Sequence, residues 1–285
     1  MHASAPPPPT VDFLGVGVQK GGTTWLYHQL ARHPQIAFPR GKEVHYWDTV
    51  PSPDADQWAR LLEPAHRVTA TGLPVKTGEI TPAYAMLPAA TIHSIRGRCP
   101  DVRLFISLRN PVERAWSAAL MGLARAQMLV HEASDQWFLD HFRSAASRAR
   151  GDYVGCLERW WSVFPRRQLL VIFQDDIRGQ PAAVLRELAD HLGIDTAVFA
   201  RLAPDEMAEV VVPVLGTDVD PEAPPPLRPS LWEPLLAMYA ADIDRLAAML
   251  DRDLAAWREP PAAPTASGPR RATSGPPTGA ADPAA

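Results

Sequence analysis

The fold is decided by residues 11–33, VDFLGVGVQKGGTTWLYHQLARH. Its first eight residues form an apolar run of the length that a parallel sheet buries on both faces. The turn QKGG, residues 19–22, interrupts that run, and apolar residues then recur at helical spacing after Thr23 and Thr24. Because a turn with few side chains leads into a helix N-terminus, several backbone N–H groups are free to converge on an anion. The stretch therefore predicts a strand, a phosphate-binding turn and a helix.

The position of Lys20 separates this turn from the loop of nucleoside triphosphatases. That loop, G-x-x-x-x-G-K-[ST], has its lysine directly after the second glycine. Gly17 and Gly22 have the same spacing here, but the lysine precedes Gly22. A lysine at this place reaches the group attached to a phosphate rather than wrapping a pair of phosphates. A glycine-rich turn without any ligand is the alternative interpretation.

The composition is that of an ordinary globular protein, with 46% hydrophobic and 21% charged residues among 285. Lysine and arginine number 28 against 32 aspartate and glutamate, so no general basic character indicates nucleic-acid binding. Only two cysteines occur, which favours a reducing compartment without disulfides. Since no run of about 18 apolar residues and no secretory leader is found, we expect a soluble, cytoplasmic protein without a membrane span.

Short apolar strands alternate with helices along the chain, which predicts an α/β fold with a central parallel sheet flanked by helices. We expect a single domain over residues 11–258, between a disordered N-terminus (1–10) and a disordered Pro/Ala-rich tail (259–285). After the strand and helix of residues 11–33, a short strand is predicted before the loop of residues 42–48, and further strands at 75–79, 102–108 and 168–173. Helices are predicted at 54–62, 89–98, 111–128, 134–148, 153–164, 181–192 and 230–257.

A second anion site is predicted where the strand at 102–108 ends. Arg109 follows that strand, Asn110 and Pro111 are good residues to start a helix, and Ser117 lies about two helical turns further on. An arginine fork binds phosphate bidentately, and a serine hydroxyl can add a hydrogen bond. Singly, Arg109 could be an ion-pair partner and Ser117 an ordinary surface residue. Ligands of parallel sheets bind at the carboxyl ends of strands, where both this turn and the glycine turn are expected.

The segment KEVHYWD, residues 42–48, is the densest polar and aromatic cluster in the chain. It fits neither a buried strand nor an amphipathic helix, so we predict a loop after a short strand, beside the glycine turn. Glu43 and His45 are its candidates for proton transfer. The alternative is a surface loop whose Tyr46 and Trp47 pack inward, and for Trp47 we favour that interpretation.

Together these segments resemble the sulfotransferases that use 3′-phosphoadenylyl sulfate (PAPS). KGGTTWL at 20–26 is similar to their 5′-phosphosulfate loop, K-[ST]-G-T-[TS]-[WL]-L, and RLFISLRNPVERAWSAAL at 103–120 is similar to their 3′-phosphate block. KEVHYWD and GEITPAY resemble blocks of the glycosaminoglycan type, and GDYVGCLERWW resembles a later helix of the family. The resemblance spans about residues 11–257 and implies a P-loop-like, three-layer sandwich.

The resemblance also implies an activity: transfer of a sulfuryl group from PAPS to a hydroxyl, or in second place an amine, of a small-molecule or saccharide acceptor. The other product is adenosine 3′,5′-bisphosphate (PAP). No metal is implied, and no metal-ligand spacing is present among the cysteines and histidines. A P-loop-type kinase using ATP and magnesium, or a nucleotide-binding adaptor without activity, are the alternatives. The acceptor's identity and the oligomeric state stay open.

The resemblance assigns roles to individual residues. Glu43 is the first choice for the base and His45 the second, while Lys20 stabilises the leaving phosphate. Trp25 stacks on adenine or packs in the core. The family's usual Lys-Gly segment over the nucleotide is missing, which leaves Arg228 as the basic candidate for that role. The full set of implied nucleotide ligands is Lys20, Gly21, Gly22, Thr23, Thr24, Trp25, Arg109, Ser117 and Arg228.

Overall fold

Five parallel strands form the central sheet of the protein. The structure is a computed structural model, and it describes residues 10–202, 206–207 and 225–260. The strand order is β2-β3-β1-β4-β5, and each neighbouring pair is parallel. The strands are β1 (Phe13–Gly17), β2 (Ile36–Ala37), β3 (Lys76–Ile80), β4 (Arg103–Leu108) and β5 (Leu169–Phe173). The predicted parallel α/β sheet is confirmed.

Helices connect the strands and cover both faces of the sheet. Between β1 and β4 lie α1 (Thr23–Ala31), α2 (Tyr46–Thr49), α3 (Ala55–Leu61) and α4 (Ala89–Arg98). Between β4 and β5 lie α5 (Pro111–Arg125), α6 (Asp135–Arg143), α7 (Ala145–Gly151) and α8 (Tyr153–Val163). After β5 come α9 (Gln174–Gly179), α10 (Pro181–Leu192) and α11 (Pro229–Leu250). Within the described residues, none of the helices is long and apolar enough to cross a membrane.

Two hydrophobic cores lie on opposite faces of the sheet. Strand side chains alternate between them: Phe13 and Phe105 belong to the smaller core with α1 and α10. Leu14 and Leu104, the sequence neighbours of these phenylalanines, belong to the larger core with α3, α4, α5, α8 and α11. This alternation follows from the two-residue period of a strand. The result is the predicted arrangement of three layers.

Two predicted helices differ from the structure. The helix expected over 134–148 is divided at Ser144, whose extended backbone ends α6 and whose Oγ accepts the Ser147 N–H to cap α7. The last helix ends at Leu250 rather than near residue 257, and Asp251 then has left-handed φ. The chain turns back there, and a 3₁₀ turn holds Trp257 against the sheet. The terminal segments predicted to be disordered lie almost wholly outside the described residues.

The carboxyl ends of β1, β4 and β5 meet at one edge of the sheet. Leu108, the last residue of β4, pairs in register with Phe173, the last residue of β5. Arg109 therefore leaves the sheet beside Gln174, the first residue of α9. The glycine turn after β1 bonds to β4 as well, because Val18 N–H donates to the Ser107 carbonyl oxygen at 3.0 Å. The segments predicted to bind phosphate are thus neighbours.

Candidate active site

The glycine turn is packed directly against β4. Gly21 N–H donates to the Val18 carbonyl at 3.0 Å, and Ser107 Oγ donates to the Gly21 carbonyl at 2.5 Å. A Cβ on Gly21 would collide with the Ser107 carbonyl oxygen, so only glycine fits there. Gly22 precedes α1 with φ of 96° and provides no side-chain cap. Because the first N–H groups of a helix have no intrahelical partner, this backbone is suited to hold an anion.

Lys20 lies within this turn, in the left-handed region with φ of 68°. Burial is the largest of the causes that together lower the pKa of its ammonium group to about 8; the positive charges of Arg109, Arg125 and Lys42 are the others. These three cations come from segments separate from the turn, and their charges act together on the Lys20 ammonium group. Such a cluster of positive charge is unfavourable by itself and becomes favourable when an anion binds.

Arg109 leaves β4 towards the same edge and is held by α5. Its Nε and Nη2 donate to Glu113 Oε2 at 3.0 and 2.9 Å, and Tyr153 OH donates to the Arg109 carbonyl at 2.8 Å. Ser117 is one turn beyond Glu113 and partly exposed. Burial alone would raise the pKa of Glu113, but the charges of Arg109 and Arg178 outweigh burial and keep that pKa below its ordinary value. Arg109 is therefore oriented before any ligand arrives.

The loop between β2 and α2 carries Glu43 and His45 in the left-handed region, with φ of 64° and 56°. Lys42 forms an ion pair with Glu43 Oε1, while His45 Nε2 lies 3.6 Å from Glu43 Oε2. On its other side, His45 Nδ1 is 2.8 Å from Asp48 Oδ2. The carboxylate predicted as the base is therefore flanked by a cation and by an imidazole that Asp48 orients. Glu43 is about half-exposed, which leaves it accessible to an acceptor.

The buried carboxylate of Glu79 is linked to this loop through the hydroxyl groups of Thr81 and Tyr84. Glu79 is fully buried and accepts hydrogen bonds from Trp58 Nε1 at 2.7 Å, Thr81 Oγ1 at 2.7 Å and Tyr84 OH at 3.0 Å. Burial raises the pKa of Glu79. The two hydroxyl groups in turn accept hydrogen bonds from backbone N–H groups of the loop. Thr81 Oγ1 accepts one from His45, and Tyr84 OH accepts one from Tyr46. Glu79 is a residue that sequence reasoning missed, although the GEITPAY block contained it.

Trp25 and Arg228 have contacts that differ from the predicted nucleotide contacts. Trp25 is buried in the smaller core, and its indole N–H donates to the Met207 carbonyl at 2.8 Å, which favours the packing role over stacking on adenine. Arg228 forms an ion pair with Asp135 at 2.6 Å and donates to the carbonyls of Val130 and Ala133 at 2.8 Å. These bonds tie the start of α11 to α6, and we do not propose Arg228 as the cover of the nucleotide.

Among the residues that the structure describes, no group of three His, Cys, Asp or Glu side chains is placed to hold a metal ion. Of the inward-packing alternative, the part concerning both aromatic residues holds: Tyr46 is 6% exposed, and Trp47 is 4% exposed and packs against Trp58. Glu43 and His45 remain at the surface of the cleft. The roles assigned to the individual site residues stay predictions.

Residues 11–212 match the family model described as "Sulfotransferase domain". Heparan sulfate glucosamine 3-O-sulfotransferase 6 of Mus musculus is 31% identical over 188 residues, covering 65% of this chain and 53% of that protein. Membrane-associated sulfotransferase kil1 of Dictyostelium discoideum is 32% identical, covering 70% of this chain and 59% of that protein. The chain thus spans about half the length of the curated relatives it matches.

Solved structures show the same fold. A sulfotransferase from Alicyclobacillus acidocaldarius superposes with a TM-score of 0.63 at 28% identity, over 87% of this chain and 99% of that chain. A mouse sulfotransferase, SULT7A1, complexed with PAP gives a TM-score of 0.50 at 16% identity, over 85% of this chain and 88% of that chain. The second likeness concerns the fold alone.

Proposed function

The chain belongs to the sulfotransferase domain family, and on that premise we propose that it transfers a sulfuryl group from PAPS to an acceptor hydroxyl. The observation that carries the proposal is that two segments suited to bind anions follow the adjacent strands β1 and β4 at one edge of the sheet. The glycine turn after β1 presents backbone N–H groups and Lys20, while Arg109 and Ser117 follow β4. PAPS carries its phosphosulfate on the 5′ oxygen of the ribose and a second phosphate on the 3′ oxygen. Two separate anion-binding segments match these two groups. Family membership favours this function over the kinase alternative.

The residues of the turn fit the 5′-phosphosulfate. Gly21 lets the turn pack directly against Ser107 of β4, and the N–H groups at the start of α1, which have no intrahelical partner, are suited to hold an anion there. Thr23 and Thr24 open α1 with hydroxyl groups. By analogy with phosphoryl transfer, in-line displacement of a sulfuryl group depends on positioning and on stabilising the leaving charge. Lys20 would provide that stabilisation at the bridging oxygen.

Glu43 is our first choice for the base that takes the acceptor proton. Its Oε1 is paired with Lys42, and its Oε2 faces His45 Nε2 at 3.6 Å. His45 is held by Asp48 and could receive the proton from Glu43 or take it directly. We keep Glu43 before His45 because Glu43 is paired with Lys42, whose charge also acts on Lys20.

We propose a saccharide hydroxyl as the acceptor class, because the relatives are named as sulfotransferases of heparan sulfate glucosamine. A small-molecule acceptor is the second candidate. The cytoplasmic location stays a prediction.

The test is transfer of radiolabelled sulfate from PAPS to heparan sulfate oligosaccharides and, in parallel, to a simple phenol. We expect label in the saccharide, unchanged by EDTA and strongly reduced in Lys20→Ala. Calorimetry with PAP and AMP accompanies the assay, and we expect PAP to bind more tightly. Equal affinities, together with no transfer to any acceptor, would contradict the proposed function, and a strict magnesium requirement would favour a kinase.

A further inference from the structure

Two arginines meet at one carboxylate beside the predicted 3′-phosphate site. Arg109 Nη2 lies 2.9 Å from Glu113 Oε2, and Arg178 Nη1 lies 3.3 Å from the same oxygen. Arg109 follows β4 and Arg178 belongs to α9, which directly follows β5. Because β4 and β5 pair in register to their last residues, Arg109 leaves the sheet beside the start of α9, the helix that carries Arg178. No motif of the sequence marks Arg178 as a site residue.

The short helix that carries Arg178 is fixed from several sides. Asp176 accepts two hydrogen bonds from Arg252 at 2.8 and 2.7 Å, and Asp175 accepts one from Trp257 Nε1 at 2.6 Å. Ile177 is buried and lies next to Gly22 of the glycine turn, in contact range of a Cβ at that position. The backbone of Arg178 is therefore placed by the C-terminal segment on one side and by the predicted phosphate turn on the other.

The charges around Arg178 are suited to a phosphate. Arg109 and Arg178 share Glu113, and the additional approach of Asp175 to Arg178 is long, at 3.9 Å. The Arg178 side chain is 52% exposed, whereas that of Arg109 is 17% exposed. Half-exposed ion pairs contribute little to stability, so Arg178 can exchange a carboxylate for a better anion at small cost. A phosphate monoester offers more negative charge and more acceptor oxygens than the single carboxylate oxygen that the two arginines share.

We propose that Arg178 is a second ligand of the 3′-phosphate of the donor nucleotide, alongside Arg109. The inference rests on the proposed function, because it takes a 3′-phosphorylated nucleotide as the ligand. Arg178 also gives this site a basic residue in place of Arg228, because the guanidinium group of Arg228 forms an ion pair with Asp135. Glu113 keeps the Arg178 fork beside Arg109 while no nucleotide is bound.

The experiment compares the wild type with Arg178→Gln, measuring calorimetric affinities for PAP and for AMP. Arg178→Gln should bind PAP about tenfold more weakly, the loss expected for a charged hydrogen bond at a half-exposed position. Its affinity for AMP should not change, since AMP has no 3′-phosphate. Arg178→Lys should recover part of the loss, and the loss should shrink at high salt. Arg186→Gln, which removes an exposed arginine from α10, is the matched control and should change neither affinity.

The outcomes separate this inference from the proposed function. A wild type that prefers PAP to AMP, with the full preference kept in Arg178→Gln, would reject Arg178 as a ligand and leave the function standing. Equal losses for PAP and AMP would likewise reject it, because a general disturbance of the site does not depend on the 3′-phosphate. A wild type without any preference for PAP would overturn the proposed donor, and this inference with it.

Discussion

The sharpest prediction concerns the charge of Lys20. Burial, followed by the charges of Arg109, Arg125 and Lys42, lowers the pKa of this lysine to about 8. The ammonium group therefore titrates within an accessible pH range, unlike an ordinary lysine with its pKa of about 10.4. If the charged form holds the 5′-phosphate, nucleotide affinity must fall as pH rises through that value.

The size of the effect follows from the titration. For a pKa of about 8, the charged fraction falls from about 0.9 at about pH 7 to about 0.1 at about pH 9. If only the charged form binds, affinity for PAP falls about tenfold over that interval, or ~1.4 kcal/mol. The ligand does not obscure this, because the second pKa of a phosphate monoester is about 6, so its phosphates are already about 90% ionised at about pH 7. A bound phosphate raises the pKa of Lys20, so binding at high pH takes up a proton.

The assay is calorimetry of PAP binding across this pH range, in buffers with different ionisation enthalpies so that protons can be counted. Lys20→Arg keeps a positive charge throughout, so its affinity should be nearly independent of pH. Lys76→Met is the control: Lys76 pairs with Asp12 at 3.2 Å at the start of β3, and the wild-type profile should persist in this variant. A flat wild-type profile, or the same slope in Lys20→Arg, would refute the reasoning.

Three further predictions concern the other site residues. Arg109→Ala should reduce the preference for PAP over AMP to the part that Arg178 and Ser117 provide, a loss of about 1.5–3 kcal/mol that equilibrium dialysis can measure. Glu43→Gln should slow single-turnover sulfuryl transfer by ~10²–10⁴-fold with PAP affinity kept, and His45→Ala should do less harm; the opposite order would make His45 the base. Glu79→Ala leaves three buried donors without their acceptor, so urea unfolding should show a loss of about 2–4 kcal/mol, and a loss below about 0.5 kcal/mol would contradict the network.

The pattern of residues along the chain was enough to predict the sheet and the two anion sites. The apolar strand, the glycine turn and the helix over residues 11–33 are signalled by neighbours in sequence, as is the start of α5 at Asn110 and Pro111. Local conformation and periodicity set such features, so a local sequence contains them. The family resemblance rests on the same short blocks, and the family match confirms it.

Only the tertiary structure decided which side chains share a site. In the sequence, Trp25 and Arg228 look free to bind the nucleotide. In the structure, Trp25 packs and bonds to Met207 and Arg228 pairs with Asp135, each partner more than 90 positions away. Arg178 looks like an ordinary surface residue until the pairing of β4 with β5 brings it to Glu113, 65 positions earlier in the chain. The Glu79 network likewise joins a strand, a helix and a loop through side-chain hydrogen bonds. Such contacts depend on how elements pack in three dimensions, and the spacing of residues within any one element does not contain that information.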